Sequence, residues 1–186
     1  MMSADDLLRG LLMFGLLPVW LLAGFADYLC HRAERIELSA GLPETLLHLL
    51  MMGELGIGVV AALLLDINAG VLMLIFACCL AHEVTIWVDL SYASARRRIP
   101  PFEQWVHALQ FSLPWAGFVG LVLLHHEQAL AAVGIAGTPA ADWSWRWKDP
   151  PLPLWYLIAA MLGAFSLVVV PFSLEWIRSR AKPSPA

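Results

Sequence analysis

Carboxylates and histidines occur in pairs at four places where long apolar segments of the sequence begin or end. Two members of a pair share a face of a helix, because they lie four residues apart in three pairs and seven apart in the fourth. Charged groups beside hydrocarbon are costly, so each of them needs a reason. Together they form a candidate set of metal ligands: Asp27, His31, Glu44, His48, His82, Asp89, Glu103 and His107.

The elements that must position these residues are membrane helices. The chain is 60% hydrophobic and only 14% charged, whereas soluble domains carry about 25% charged residues. Five apolar segments reach the roughly 20 residues that a spanning helix needs. We therefore predict an all-α polytopic membrane bundle that forms a single integral membrane domain over residues 1–186, with spans at about 7–29, 42–65, 69–92, 102–125 and 152–177.

Alternating spans bring all eight candidate ligands to one side of the membrane. Basic residues are biased to that same side, with Arg32, Arg35, Arg96, Arg97, Arg98, Arg178, Arg180 and Lys182 there against Arg9, Arg146 and Lys148 on the other. The positive-inside rule makes the richer side cytoplasmic. We expect an integral membrane protein of a bacterial inner membrane, with its N-terminus outside and its C-terminus and metal site at the cytoplasmic face.

The tryptophan-rich segment ADWSWRWKDPP lies between the last two spans. Trp143, Trp145 and Trp147 alternate there with polar residues, which is typical of a strip in the aromatic belt of the membrane surface. A lid over a substrate site is the less favoured alternative.

An internal repeat supports the shared site. Asp27…Arg35-Ile36…Pro43-Glu44-x-x-x-His48 parallels Asp89…Arg98-Ile99…Pro101-Phe102-Glu103-x-x-x-His107. Four of the five helices are thus predicted to form a two-fold repeat around the metal site, as in bundles that bind two metals. Supporting partners of the ligands are expected at Arg35, Tyr92, Arg98 and Glu37. The competing interpretation treats the acids as helix caps and ion-pair partners of the arginines.

Mixed carboxylate and imidazole ligands suit iron, manganese or zinc, and the lack of a thiolate cluster argues against copper(I) and iron–sulfur centres. Cys30, Cys78 and Cys79 show no pairing pattern and are interpreted as small apolar residues. Four carboxylates favour two transition-metal ions, with iron preferred and zinc or manganese as alternatives. Whether Glu37, Glu54 or Glu83 takes part is left open.

The segment HEVTIWVDLSYASARRRIPPFEQWVH resembles the pattern H-E-x5-D-x-x-Y-A…R-R…P-x-E-Q-x-x-H of small uncharacterised bacterial membrane proteins. The resemblance covers about the first two-thirds of the chain and implies a multi-span membrane protein without implying an activity. Ferritin-like di-iron proteins use Glu-x-x-His, whereas this chain has Glu-x-x-x-His, so similarity of chemistry is an analogy.

The leading functional hypothesis is a membrane-embedded non-haem di-iron oxidoreductase of the oxygenase, hydroxylase or desaturase type. Its partners would be the lipid bilayer, a hydrophobic or lipid substrate at the cytoplasmic leaflet, and a cytoplasmic electron donor. The alternatives are a zinc-dependent hydrolase of a lipid amide or ester, and a metal carrier or sensor without catalysis. Nucleic acid is not expected as a partner, because no basic face interleaved with aromatic residues is present.

Overall fold

The computed structural model describes residues 2–181, which form six helices and no strand. Lys182, which entered the charge count above, lies outside the described residues. The helices are α1 (Ala4–Glu34), α2 (Gly41–Leu64), α3 (Ala69–Ser94), α4 (Pro101–Leu124), the short α5 (His126–Ala132) and α6 (Leu154–Arg180).

All but α5 are long and apolar enough to cross a membrane, which confirms the predicted all-α architecture with five candidate spans. Large apolar side chains are exposed on the outside of the bundle, as expected for a surface that faces lipid. The internal two-fold repeat and the single-domain assignment stay predictions.

Local sequence signals set the helix ends. Ser3 and Asp6 form a reciprocal capping box at the start of α1. Arg35 ends α1 in the left-handed conformation, with φ 52°, which is uncommon for a residue other than glycine. Asn68 caps α3 by accepting a hydrogen bond from the Val71 amide, and Pro101 opens α4, where its missing amide hydrogen costs nothing.

Two helices, α1 and α6, widen into a π-helical stretch before a proline. The stretch is Leu11–Leu16 in α1 and Phe165–Val169 in α6, and the prolines that follow are Pro18 and Pro171. Proline lacks an amide hydrogen and its ring crowds the carbonyl four residues earlier, which explains the local change of helical pitch.

The two halves of α6 differ in their contact with α2. Val170–Arg180 contacts both α2 and α1 at the end where the acids and histidines lie, whereas Leu154–Ala164 contacts α1. The α2–α3 hairpin is the most extensive helix pair, and α1 packs along α4. Since only the second half of α6 packs extensively on α2, a gap opens between these two helices toward the other end of the bundle.

The tryptophan-rich segment closes the opposite end of the bundle by pairing with the α2–α3 turn. Leu65 and Trp147 form an isolated antiparallel bridge, and the Asn68 side chain donates a 2.7 Å hydrogen bond to the Ser144 carbonyl. The Trp143, Trp145 and Trp147 side chains are exposed. A fixed backbone with outward indoles agrees with an interfacial strip.

Candidate metal centre

The ends of α1 and α3 and the starts of α2 and α4 bring seven of the eight predicted ligands into one connected cluster. Six of them are nearly inaccessible, with at most 5% of the residue exposed, and the His107 side chain is 13% exposed. The seven residues are Asp27, His31, Glu44, His48, Asp89, Glu103 and His107.

Three imidazoles point their Nε2 atoms at the Asp27 carboxylate. The Nε2 atom of His107 lies 3.0 Å from Oδ1, that of His48 lies 3.1 Å from Oδ2, and that of His31 lies 3.8 Å from Oδ1. Two atoms that bind one metal at about 2.1 Å each can be no more than about 4.2 Å apart. All three separations fit within that limit.

The other ring nitrogen is already held in two of these histidines. The Nδ1 atom of His31 is 3.1 Å from Oε2 of Glu175, and that of His48 is 3.0 Å from the Glu44 carbonyl oxygen. A carbonyl oxygen only accepts, so Nδ1 of His48 donates, and Nε2 of the neutral ring keeps its lone pair toward the cluster. Metal-binding histidines are oriented in this way by a carboxylate or a backbone carbonyl.

Sequence reasoning did not include Glu175 among the residues of the centre. The residue is only 1% exposed and contacts His31 from α6. The available signal was a single acid in the otherwise uncharged stretch LVVVPFSLEWI of the last span. That position alone could not reveal that α6 packs beside α1 at this level.

Arg97 holds two of the predicted ligands. Its guanidinium donates to Oε1 of Glu44 at 2.6 Å and, through the atom Nη1, to Oε2 of Glu103 at 3.0 Å. Burial alone would lower the pKa of Arg97, but the hydrogen bonds with Glu103 and Glu44 outweigh it and hold the pKa above its ordinary value. Glu44 and Glu103, which occupy equivalent places in the proposed repeat, therefore meet on one cation.

Sequence reasoning assigned the supporting arginines to Arg35 and Arg98, and the structure leaves both side chains exposed. Arg35 ends α1, while Arg97 turns inward from the loop after α3. Tyr92, another predicted partner, donates its hydroxyl hydrogen to the Ala40 carbonyl at 2.9 Å. Glu37 is half-buried in the 3-10 turn Ile36–Leu38. Their support of a metal stays a prediction.

Asp89 lies at the edge of the cluster and His82 lies outside it. Oδ1 of Asp89 is 3.7 Å from Nδ1 of His48, whereas Nδ1 of His82 is 4.0 Å from Oε2 of Glu54. Glu54 also accepts a 2.7 Å hydrogen bond from the Thr85 hydroxyl. Glu83, the other acid left open, accepts from the indole of Trp115. Among residues 2–181, no carboxylate of the cluster lies within 4.0 Å of a ring nitrogen of His82.

Unpartnered polar atoms mark the centre of the cluster. Within the described part of the chain, Nε2 of His31 is buried without a hydrogen-bond partner, and so is Oδ2 of Asp27, because Nε2 of His48, 3.1 Å away, presents a lone pair rather than a hydrogen. Buried polar atoms are almost always satisfied in folded proteins. One group of described residues, Asp27, His31, His48 and His107, offers ligand atoms that all lie within 4.8 Å of one another. This Asp/His group could hold a metal ion.

An apolar groove of about 770 Å³ adjoins this group. It runs between α2 and α6 over α1, and His48 and His82 line one end of it. His48 therefore belongs both to the candidate metal group and to a surface that hydrophobic molecules can approach.

Comparison of the chain with known protein families, curated proteins and solved structures finds no match.

Proposed function

We propose that this protein is a membrane-embedded metalloenzyme that acts on a lipid-soluble substrate. Asp27, His31, His48 and His107 would hold a transition-metal ion. The observation that carries the proposal is the convergence of three Nε2 atoms on one buried carboxylate, with the opposite nitrogen of His31 and His48 already held by an acceptor. Metal-binding histidines have this arrangement.

The cluster is a poor purely structural network. A network kept for stability would leave few buried polar atoms without partners, because each one costs about 1–3 kcal/mol. Within residues 2–181 the cluster instead leaves Nε2 of His31 unsatisfied at 3.8 Å from Oδ1 of Asp27, and it leaves Oδ2 of the same carboxylate unsatisfied as well. A cation at that point would satisfy both.

We propose one ion in the first place. A second ion, as the di-metal hypothesis requires, would have to share Glu44 and Glu103 with Arg97. Such sharing is feasible, because each carboxylate has about four lone-pair directions and Oε1 of Glu44 lies 3.6 Å from Nε2 of His31. The metal content of the purified protein decides between one ion and two.

Iron is the preferred metal and oxidation the preferred chemistry. Three carboxylates, from Asp27, Glu44 and Glu103, lie within 4.0 Å of Nε2 of His31. Oxygen-rich ligand sets with imidazole suit iron, and a hydrolytic zinc ion needs only about three protein ligands and a water. The proposed reaction class uses dioxygen as oxidant and two electrons and two protons from a cytoplasmic donor. One oxygen atom enters a C–H bond and the other leaves as water.

Metal analysis of the purified protein tests the site. His31→Ala, His48→Ala and His107→Ala should each lower metal occupancy sharply, since each removes one donor atom of the group. His125→Ala is the matched control, because His125 lies beyond the far end of α4. A wild-type protein that holds no transition metal after mild purification would contradict the proposal.

Redox behaviour tests the chemistry. An iron-loaded protein should change its absorption on anaerobic reduction and change again on exposure to air. Glu44→Gln should alter that response if Glu44 binds the metal, and leave it unchanged if Glu44 serves only Arg97.

The second candidate, a zinc-dependent hydrolase, is favoured by the three histidines of the group, since imidazole is a common ligand of catalytic zinc. A zinc-loaded protein that is indifferent to air and cleaves a lipid ester or amide would decide for it. Metal binding without turnover would instead favour the carrier or sensor.

The orientation also stays a proposal. The basic residues near the cluster favour a cytoplasmic metal centre and C-terminus in a bacterial inner membrane. A reporter that is active only in the cytoplasm, fused after Ala186, should be active. An inactive reporter at normal expression would reverse the orientation and move the electron donor to the other side.

A further inference from the structure

The groove between α2 and α6 is longer than one leaflet of a membrane. Its α2 wall runs from His48 to Leu65, a distance of about 25 Å at 1.5 Å per residue. One leaflet contributes about 15 Å, half of a hydrocarbon core of about 30 Å. The groove volume of about 770 Å³ lies in the range of small-molecule sites, about 300–1,000 Å³. A single long chain fits these dimensions.

Glycines leave room along the α2 wall. A Cβ atom placed on Gly53 or Gly56 would meet no heavy atom within 4 Å among the described residues, and both positions line the groove. Leu21, Ala160, Ala164 and Val168 supply apolar walls on the other two helices. The groove is thus smooth and apolar over most of its length.

Apart from the indoles of Trp20 and Trp147, the polar lining is confined to the end beside the candidate metal centre. His48, His82 and Gln110 come from the halves of α2, α3 and α4 that lie nearest the cluster. His82 is only 7% exposed, and within residues 2–181 neither of its ring nitrogens has a hydrogen-bond partner. Oε2 of Glu54, 4.0 Å from Nδ1 of His82, also lacks one. A buried imidazole with both nitrogens free is an incomplete site.

We infer that the groove binds a single-chain lipid with a small neutral oxygen head group, such as an alcohol, and that His82 binds this head group. The hydroxyl of an alcohol donates and accepts, so it can satisfy His82 and Glu54 together. A charged head group would be costly to place within hydrocarbon, and a neutral hydroxyl avoids that cost. The chain lies along Gly53 and Gly56 and crosses the bilayer midplane.

As a statement about the substrate, this inference rests on the proposed function, because it presents the oxygen-bearing end of the lipid to the ion beside His48. As a statement about binding it does not need the metal. The inference assigns His82 to substrate recognition rather than to metal ligation. The position of His82 in the wall of the groove supports that role.

The test is photolabelling of the metal-free protein in lipid nanodiscs. One probe is a long-chain primary alcohol with a diazirine in its chain, and the matched probe is the same hydrocarbon without the hydroxyl. We expect labels on α2 and α6 beside the groove, with the alcohol preferred about fivefold, the effect of one hydrogen bond. Competition by an unlabelled n-alkanol and by a polyprenol distinguishes straight from isoprenoid chains.

Three variants sharpen the test. His82→Leu should remove the preference for the alcohol while the hydrocarbon still labels. Gly53→Phe should abolish labelling by both probes, because the ring fills the groove. If Gly53→Phe does not insert into the membrane, Gly56→Leu replaces it as the variant that fills the groove. Gly10→Phe is the control, since Gly10 also faces open space but does not line the groove.

Labelling spread evenly over the lipid-facing surface, or an alcohol preference unchanged by His82→Leu, would overturn the inference. If the groove is labelled but the purified protein never holds a metal, the inference about lipid binding is supported and the proposed function is contradicted. The two failures are therefore distinguishable.

Discussion

The two ends of the bundle both gather acidic and basic side chains, but they use them differently. At the end closed by the tryptophan-rich segment, Arg146 contacts Asp66 at 3.3 Å with 58% and 45% of the two side chains exposed, and it also contacts Asp142. At the end with the candidate metal centre, Arg97 contacts Glu44 with 5% and 0% of the two side chains exposed. Solvent screens the exposed ion pairs, whereas the buried ones depend on each other.

This difference shows which charged side chains need an oppositely charged partner to offset the free energy of removing them from water. Exposed pairs contribute about 0–1 kcal/mol. Removing one partner of a buried pair costs about 3–5 kcal/mol, since a charge is left without water or a partner. Arginine and acidic residues therefore make only local contacts around Arg146, whereas around Arg97 they hold together the residues of the candidate metal centre.

The largest expected effect is that of Arg97→Met. The change leaves Glu44 and Glu103 buried without their cation, so the free energy of unfolding should fall by about 3–5 kcal/mol. Chemical or thermal unfolding of the metal-free protein in detergent measures it. Arg98→Met, at the neighbouring exposed residue, is the matched control and should change little. Equal effects of the two variants would contradict the assignment of Arg97 to the centre.

A second test combines Arg97→Met with Glu44→Gln and Glu103→Gln. Neutral amides need no cation, so the triple variant should recover most of the lost stability. Continued instability would mean that Arg97 acts mainly through the packing of its loop.

A smaller effect is expected from Glu175→Gln. Glu175 holds Nδ1 of His31, and removing such a supporting carboxylate lowers metal affinity by about 10–100-fold. Competition with a chelator measures the affinity, and Glu127→Gln, at an exposed acid on α5, is the control. Unchanged affinity would remove His31 from the ligand set.

The smallest effect is expected from Arg146→Ala at the end closed by the tryptophan-rich segment. Loss of its exposed ion pairs should lower stability by no more than about 1 kcal/mol, and the difference should shrink at high salt because of screening. Melting curves at low and high ionic strength test this. A loss that is large and independent of salt would mean that the ion pairs at this end are as interdependent as those around Arg97.

The sequence predicted the five spans because a spanning helix requires a long apolar run, which is a local property. It also predicted that the pairs Asp27/His31, Glu44/His48 and Glu103/His107 meet at one end of the bundle, and the structure brings these six residues together, because the two members of each pair are four residues apart. That spacing keeps both side chains on one face and within about 6 Å along the axis.

His82 lies at a different depth from the other candidates, although it shares a helix face with Asp89. Seven residues separate it from Asp89, which is about 10 Å along the helix axis. The pair shares a face but not a depth, and His82 reaches Glu54 instead of the cluster. Spacing gives the face of a helix directly, while depth relative to other helices depends on how they pack.

By itself the sequence determined the helical membrane architecture, the candidate residues and the end of the bundle at which they meet, because apolar length and helical phase are properties of one segment. Only the tertiary structure decided that Arg97 rather than Arg98 neutralises the acids, that Glu175 supports His31, and that His82 lines the groove. Each of these depends on contacts between residues far apart in the chain or on the path of a loop. Such contacts follow from the packing of several helices at once, which no single segment specifies.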